Sequence, residues 1–352
     1  AGVALTTVVP VLVVSDLGAL DRHDTGAWHP ERPARLEAVR LGIGDALGPD
    51  HDGAVRVEPR MATHDEIVRV HSSRYVWSLE RLAAEGGGEL DPDTPVSAGS
   101  WDTALHAAGA GLAVVDELRR RGSGVGFVAV RPPGHHARPG IGMGFCLLNN
   151  VAIAAAALAD AGERVLVVDW DVHHGNGTQD VFWDDPRVMY VSTHQSPMYP
   201  GTGRVNETGG PQAPGTTLNF PFPAGTTGEM YRRALDDVVT DAAAEFGATW
   251  VLVSAGYDAH RDDPLAGHAL AAGDYAELAS RVAALAPTAG RLALFLEGGY
   301  DLGALRRSVA ATVGRLTGTT EPDEAPTHGG PGAETIGAVQ TVRAQRSGSG
   351  GR

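Results

Sequence analysis

Short apolar runs rich in valine alternate with alanine-rich stretches along much of the chain. "GVGFVAV" (124–130), "RVLVVDW" (164–170), "RVMYVST" (187–193), "TWVLVSAG" (249–256) and "RLALFLEGGY" (291–300) have the length and β-branched content of buried strands. The opening "AGVALTTVVPVLVVSD" runs directly into a further strand. Between these runs, "NNVAIAAAALADAG" (149–162), "GEMYRRALDDVVTDAAAEFG" (228–247) and "DYAELASRVAALAPTAG" (274–290) predict helices. Strands apolar on both faces and alternating with helices predict an α/β fold with a doubly wound, mostly parallel β-sheet flanked by helices.

Polar residues cluster where such strands end. "RPPGHHA" follows 124–130, "DVHHGNG" follows 164–170, "GYDAHRDD" follows 249–256, and "EGGYD" follows the last strand. Ligands of doubly wound sheets gather at the carboxyl ends of the strands, so four such loops on one rim predict an active site. From about Thr317 to Arg352 the chain turns rich in Gly, Pro, Thr and Ser. A main domain over 1–316 is therefore expected, followed by a segment 317–352. In that segment "AETIGAVQTVRAQR" predicts a short helix and "SGSGGR" a flexible end.

Composition narrows the function classes. With 43% hydrophobic and 20% charged residues the chain is of globular type, and its length suffices for one large α/β domain. No apolar run approaches the length of a membrane span, and the N-terminal stretch lacks the basic start of a secretory signal. The formal charge of −15 argues against binding nucleic acid through its phosphates, and all 28 basic residues are arginine. The single cysteine, Cys146, excludes an internal disulfide and fits a reducing, cytoplasmic setting.

The candidate chemistry lies in the strand-end loops. Strand side chains alternate, so Asp169, Asp171 and His173 share one face if the extended backbone continues past 169. Asp171 and His173 then suit one cation such as Zn²⁺, with Asp258 at the end of another strand as third ligand and one position left for water. Alone, a D-x-H triplet is more often a turn or cap. The prolines and Gly134 of "RPPGHHA" present His135 and His136 as a rigid pair, each needing an orienting partner; Asp169 and Asn176 are chemically apt. Tyr300, after two glycines, could donate to an oxyanion, although by itself it reads equally well as a packed loop residue.

Taken in order, "RPPGHHA", "GFCLLNN", "DWDVHHGNGTQ", "YPGTG", "SAGYDAH" and "LEGGY" resemble the zinc-dependent histone deacetylase family, from roughly Leu12 to Leu316. "HPERPARLEAVR" (29–40) is similar to its class II branch and bacterial relatives, which include acetylpolyamine amidohydrolases. The resemblance implies a single domain of arginase-like fold. It implies zinc on Asp171, His173 and Asp258, with Asp169 behind His135 and Asn176 behind His136. It implies Tyr300 as the transition-state donor and a structural potassium ion at Asp169, Asp171, His173, Ser192 and Thr193. Gly144, Phe145, Tyr199 and Leu265 match the walls of an acyl-lysine tunnel, and Gly298 and Gly299 are assigned to the substrate.

The activity so implied is removal of acyl groups from acyl-lysine side chains or similar acylated amines, with His136 as the proton-transferring residue. Acetylpolyamine or small-metabolite hydrolysis is the alternative. A binuclear manganese ureohydrolase is disfavoured, because Gly175 and His260 stand where it needs carboxylates. A non-catalytic acyl-amine sensor is disfavoured by the complete constellation. Bacterial relatives often assemble, so a homo-oligomer is implied as well.

Overall fold

The structure is a computed structural model that describes residues 10–48 and 53–349. The first nine residues of the opening run and the last three of "SGSGGR" lie outside the described residues. The described residues form ten strands: β1 (Leu12–Asp16), β2 (Val55–Arg56), β3 (Gly87–Glu89), β4 (Pro95–Ser97), β5 (Val125–Ala129), β6 (Val165–Asp169), β7 (Val188–Gln195), β8 (Thr217–Phe222), β9 (Trp250–Ala255) and β10 (Leu292–Leu296). Eight of them form one sheet in the order β2-β1-β5-β10-β9-β6-β7-β8, with every neighbouring pair parallel. β3 and β4 form a separate antiparallel pair.

Strand alternation divides the interior in two. Leu12, Val14, Leu166 and Val168 face one core, which holds helices Ala34–Leu47, Ala272–Leu285 and Leu302–Thr317. Val13, Val165 and Val167 face the other, under helices Ser73–Ala84, Ser100–Arg121 and Asn150–Asp160. The doubly wound parallel sheet expected from the apolar runs is therefore present. The stretch 228–247, read as one uniform helix, contains a π-helical turn at Leu235–Val239 between Gly228–Ala234 and Thr240–Phe246. There Thr240 Oγ1 donates to the carbonyl of Leu235.

The C-terminal helix runs over Ala333–Ser349 and packs beside β8, burying Ile336 and Val339 in the first core. It thereby covers an edge of the sheet that would otherwise present unpaired backbone groups. Among the described residues no helix is long and apolar enough to cross a membrane.

Candidate active site

Sheet order assembles the site. β5, β10, β9 and β6 are consecutive neighbours, so the loops that follow them, carrying His135–His136, Gly298–Tyr300, Asp258 and Asp171–His173, lie side by side at one end of the sheet. Asp171, His173 and Asp258 each offer a ligand atom, all within 4.8 Å of one another. His173 Nδ1 stands 3.1 Å from Asp171 Oδ1 and 3.1 Å from Asp258 Oδ2. Backbone amides fix both acids: Gly298 donates to Asp171 Oδ2 at 2.7 Å and Val172 to Asp258 Oδ1 at 2.9 Å.

The electrostatics of this cluster call for a cation. Both carboxylates are fully buried. Burial and the adjacent Asp171 push Asp258 up to about 7. Burial works against ionised Asp171 too, but His135 and His173 outweigh it and hold Asp171 below the usual carboxylate range. Burial alone would lower His173; its hydrogen bonds to the two acids raise it instead, to about 10. Two buried acids that converge on one imidazole nitrogen form a group that could hold a metal ion. The mixed oxygen and nitrogen donor set fits zinc. A Cβ on Gly298 would overlap Asp258 Oδ2 and Asp171 Oδ2, and one on Gly256 would overlap Asp171, so glycines frame the cluster.

The histidine pair is buried beside it, with ring centroids 4.1 Å apart. His135 Nδ1 is 3.0 Å from Asp169 Oδ2, which also accepts from the Tyr190 hydroxyl at 2.9 Å. Burial opposes charge on His135, but Asp169, Asp171 and Glu297 outweigh it and raise the imidazole to about 10. His136 Nδ1 is 2.9 Å from Asn176 Oδ1, a neutral partner. Burial, with His135 and His173 nearby, keeps His136 well below the ordinary imidazole range. The two histidines are thus pushed in opposite directions, His135 toward the charged form by its acidic neighbours and His136 toward the neutral form by burial.

A cavity of about 350 Å³ opens over these groups, lined by His136, Gly144, Phe145, His173, Leu265 and Tyr300, with Asp91, Pro92, Asp93, Met198 and the partly exposed Tyr199 completing its wall. Phe145 has φ 71°, an uncommon conformation for a side chain of its size, and packs edge-on against Tyr300 and His29. Burial holds the Tyr300 phenol well above its ordinary range, so it remains a donor. Arg35, itself buried, lies over its ring at 4.9 Å. Gly298 and Gly299, assigned to the substrate from the sequence, do not line the cavity. Gly298 lies under the acid cluster, and the Gly299 carbonyl accepts from Arg35 Nε at 2.7 Å. Ser192 pairs with Asp169 across β6 and β7, and Thr193 Oγ1 donates to the Asp169 carbonyl at 3.3 Å.

Sequence reading passed over Glu297, Arg35 and Asp263. Glu297 Oε2 accepts from the amides of Gly134 (2.7 Å) and His135 (3.1 Å), clamping the histidine loop to the end of β10. Asp263 Oδ2 accepts from the amides of Tyr300 (2.7 Å) and Asp301 (3.2 Å). For Glu297 the available signal was a charged residue between an apolar run and a pair of glycines; Arg35 and Asp263 stand among other charged residues and had none. His260, at the position where a second metal would need an acid, donates through Nε2 to Glu324 at 2.9 Å and accepts the Asp262 amide on Nδ1 at 3.1 Å.

An eight-stranded parallel sheet with this site at its carboxyl end is the arginase/deacetylase-like α/β fold. The family model described as "Histone deacetylase domain" matches residues 29–316, and the chain belongs to that family. It is 39% identical over 301 residues to a probable deacetylase of Archaeoglobus fulgidus, covering 84% of each protein. It is also 39% identical over 309 residues to histone deacetylase 14, chloroplastic, of Arabidopsis thaliana, covering 82% of this chain and 73% of that one. The crystal structure of the HDA15 HD domain matches with TM-score 0.86 and 32% identity, over 95% of this chain and 96% of that one.

Proposed function

We propose that this protein is a zinc-dependent amidohydrolase that removes acyl groups from acyl-lysine side chains or comparable acylated amines. The carrying observation is the cavity that runs past Phe145, Tyr199 and Leu265 onto His136, His173 and Tyr300. Its walls suit an extended alkyl-amide, and its floor holds a proton acceptor, a cation site and a phenol donor. Zinc held by Asp171, His173 and Asp258 would supply a Lewis acid for the amide carbonyl and an acidified water.

The chain's own groups do the remainder. His136 is neutral, and its Nδ1 is engaged by Asn176, so Nε2 takes the proton of the attacking water and returns it to the leaving amine. His135, charged and held by Asp169, stabilises negative charge without moving its proton. Tyr300 donates to the oxyanion. In this reading Asp169, Asp171, His173, Ser192 and Thr193 would hold a companion potassium ion; Ser192 stands beside Asp169 in the sheet and Thr193 Oγ1 donates to the Asp169 carbonyl. Its buried lone thiol, Cys146, accords with a reducing cytoplasm.

The test is hydrolysis of an acetyl-lysine peptide, acetylputrescine and acetylspermidine, before and after chelation and after adding back zinc. Zinc-restored release of acetate, with the highest kcat/KM on the peptide, supports the reading. Inactivity on all three with zinc bound would overturn it, as would a manganese pair with guanidine cleavage.

A further inference from the structure

The match to the family domain ends at residue 316. Beyond helix Leu302–Thr317 the chain continues as an extended arm, "GTTEPDEAPTHGGPG" (318–332), before the C-terminal helix. The arm carries Glu324, whose side chain is largely buried. Glu324 Oε2 accepts from His260 Nε2 (2.9 Å) and from the amide of Ala272 (2.8 Å). Its Oε1 accepts from Arg261 Nη2 at 3.0 Å.

Those partners lie on both sides of one loop neck. The Arg261 amide donates to the Leu270 carbonyl at 2.9 Å, and the Leu270 amide to the Ala259 carbonyl at 3.1 Å. Glu324 therefore staples the incoming side, at His260 and Arg261, to the outgoing side, at Ala272. The loop so closed has Asp258 at its base and carries Leu265 in the cavity wall. It also carries Asp263, which holds the amides of Leu265 (3.0 Å), Tyr300 and Asp301. One carboxylate outside the family domain is connected, through two short links, to a cavity wall and to the tyrosine loop.

His260, Asp262 and Glu324 also come close enough together to hold a metal ion. Both imidazole nitrogens are engaged, however, and the two acids are already paired with Arg307 and Arg261. The group is a brace rather than a cation site. Nor does Glu324 merely tether the arm, which has other anchors. Thr327 Oγ1 donates to Asp274 at 2.7 Å, the Gly329 amide donates to Glu229 at 2.7 Å, and Ile336 and Val339 lie in the core.

We propose that Glu324 is a positioning residue through which the C-terminal arm sets the placement of Leu265 and Tyr300, and with it the acyl-chain length the cavity accepts. The selectivity part rests on the deacylase reading above; the neck closure does not.

The experiment uses the full chain with Glu324→Ala, Glu324→Gln and, as a control on the same arm, Glu321→Ala, whose side chain is mostly exposed. Hydrogen–deuterium exchange of residues 259–270 and 299–302 is read on metal-free protein, and kcat/KM on acetyl- and butyryl-lysine peptides after zinc loading. Losing these hydrogen bonds should speed exchange in both segments about tenfold in Glu324→Ala and shift the acetyl-to-butyryl ratio at least about threefold. Glu324→Gln keeps an acceptor for His260 and Ala272 but loses the one for Arg261, so it should fall between the parent and Glu324→Ala, while Glu321→Ala should stay near the parent. Unchanged exchange in Glu324→Ala overturns the proposal. Faster exchange with an unchanged acyl ratio also overturns it, reducing Glu324 to a stability brace. A parent with no turnover strikes the deacylase reading, while exchange still decides whether the neck is held by Glu324.

Discussion

The amide of Gly298 donates to Asp171 Oδ2 from a position where any side chain would overlap both Asp171 and Asp258. The last strand thus supports the acid cluster with backbone alone, and the close approach depends on the missing Cβ. Gly298→Ala is expected to push the acids apart, lowering zinc affinity and destabilising the fold by about 1–3 kcal/mol. Titration calorimetry with zinc and urea denaturation check both effects; an alanine variant that binds zinc like the parent would refute the steric account.

Tyr300→Phe removes one hydroxyl and leaves the ring against Phe145 and Arg35. The expected outcome is a fall in kcat of about 10²–10³ with little change in KM or melting temperature. Steady-state kinetics on an acetyl-lysine peptide read it directly. Full turnover would remove the phenol from the mechanism.

Asn176 gives His136 a neutral partner. Asn176→Asp places a carboxylate at Nδ1, which favours the charged imidazole and raises the pH at which His136 loses its proton. The acidic limb of the kcat/KM profile should move up by about one pH unit or more. A limb that stays put would assign it to another group.

Several buried histidines away from the histidine pair are kept neutral by the fold. Burial lowers His23, His71, His174 and His268 from 6.5 to about 4. Because the folded value lies below the unfolded one, their contribution is complete above pH 6.5 and is lost as pH falls toward 4, where the unfolded chain binds more protons. Each group costs about 1.4 kcal/mol per pH unit across that window. Denaturant midpoints between pH 7 and pH 4 should fall steeply, and a flat profile would contradict neutral burial.

The strands β5, β6, β7, β9 and β10 are legible in the sequence because a parallel sheet covered on both faces needs apolar residues at successive positions. β8 is not: Asn219 and Pro221 interrupt its apolar run, which the edge of a sheet tolerates. His135, His136, Asp171, His173 and Asp258 stand out as ionisable residues just past apolar runs. Their convergence does not, since the order β5-β10-β9-β6 is made by crossovers that leave no local pattern. Glu297 and Arg35 acquire their meaning from partners 163 and 264 positions away in the chain.

The position of β10 bears on biosynthesis. Among the described residues it is the last strand in the sequence, yet it bridges β5 and β9 near the middle of the sheet. Without Leu292–Leu296 the sheet would fall into two parts, β2-β1-β5 and β9-β6-β7-β8, so a shortened product ending before that strand could not close the sheet, and one ending before Tyr300 would lack the phenol of the candidate site.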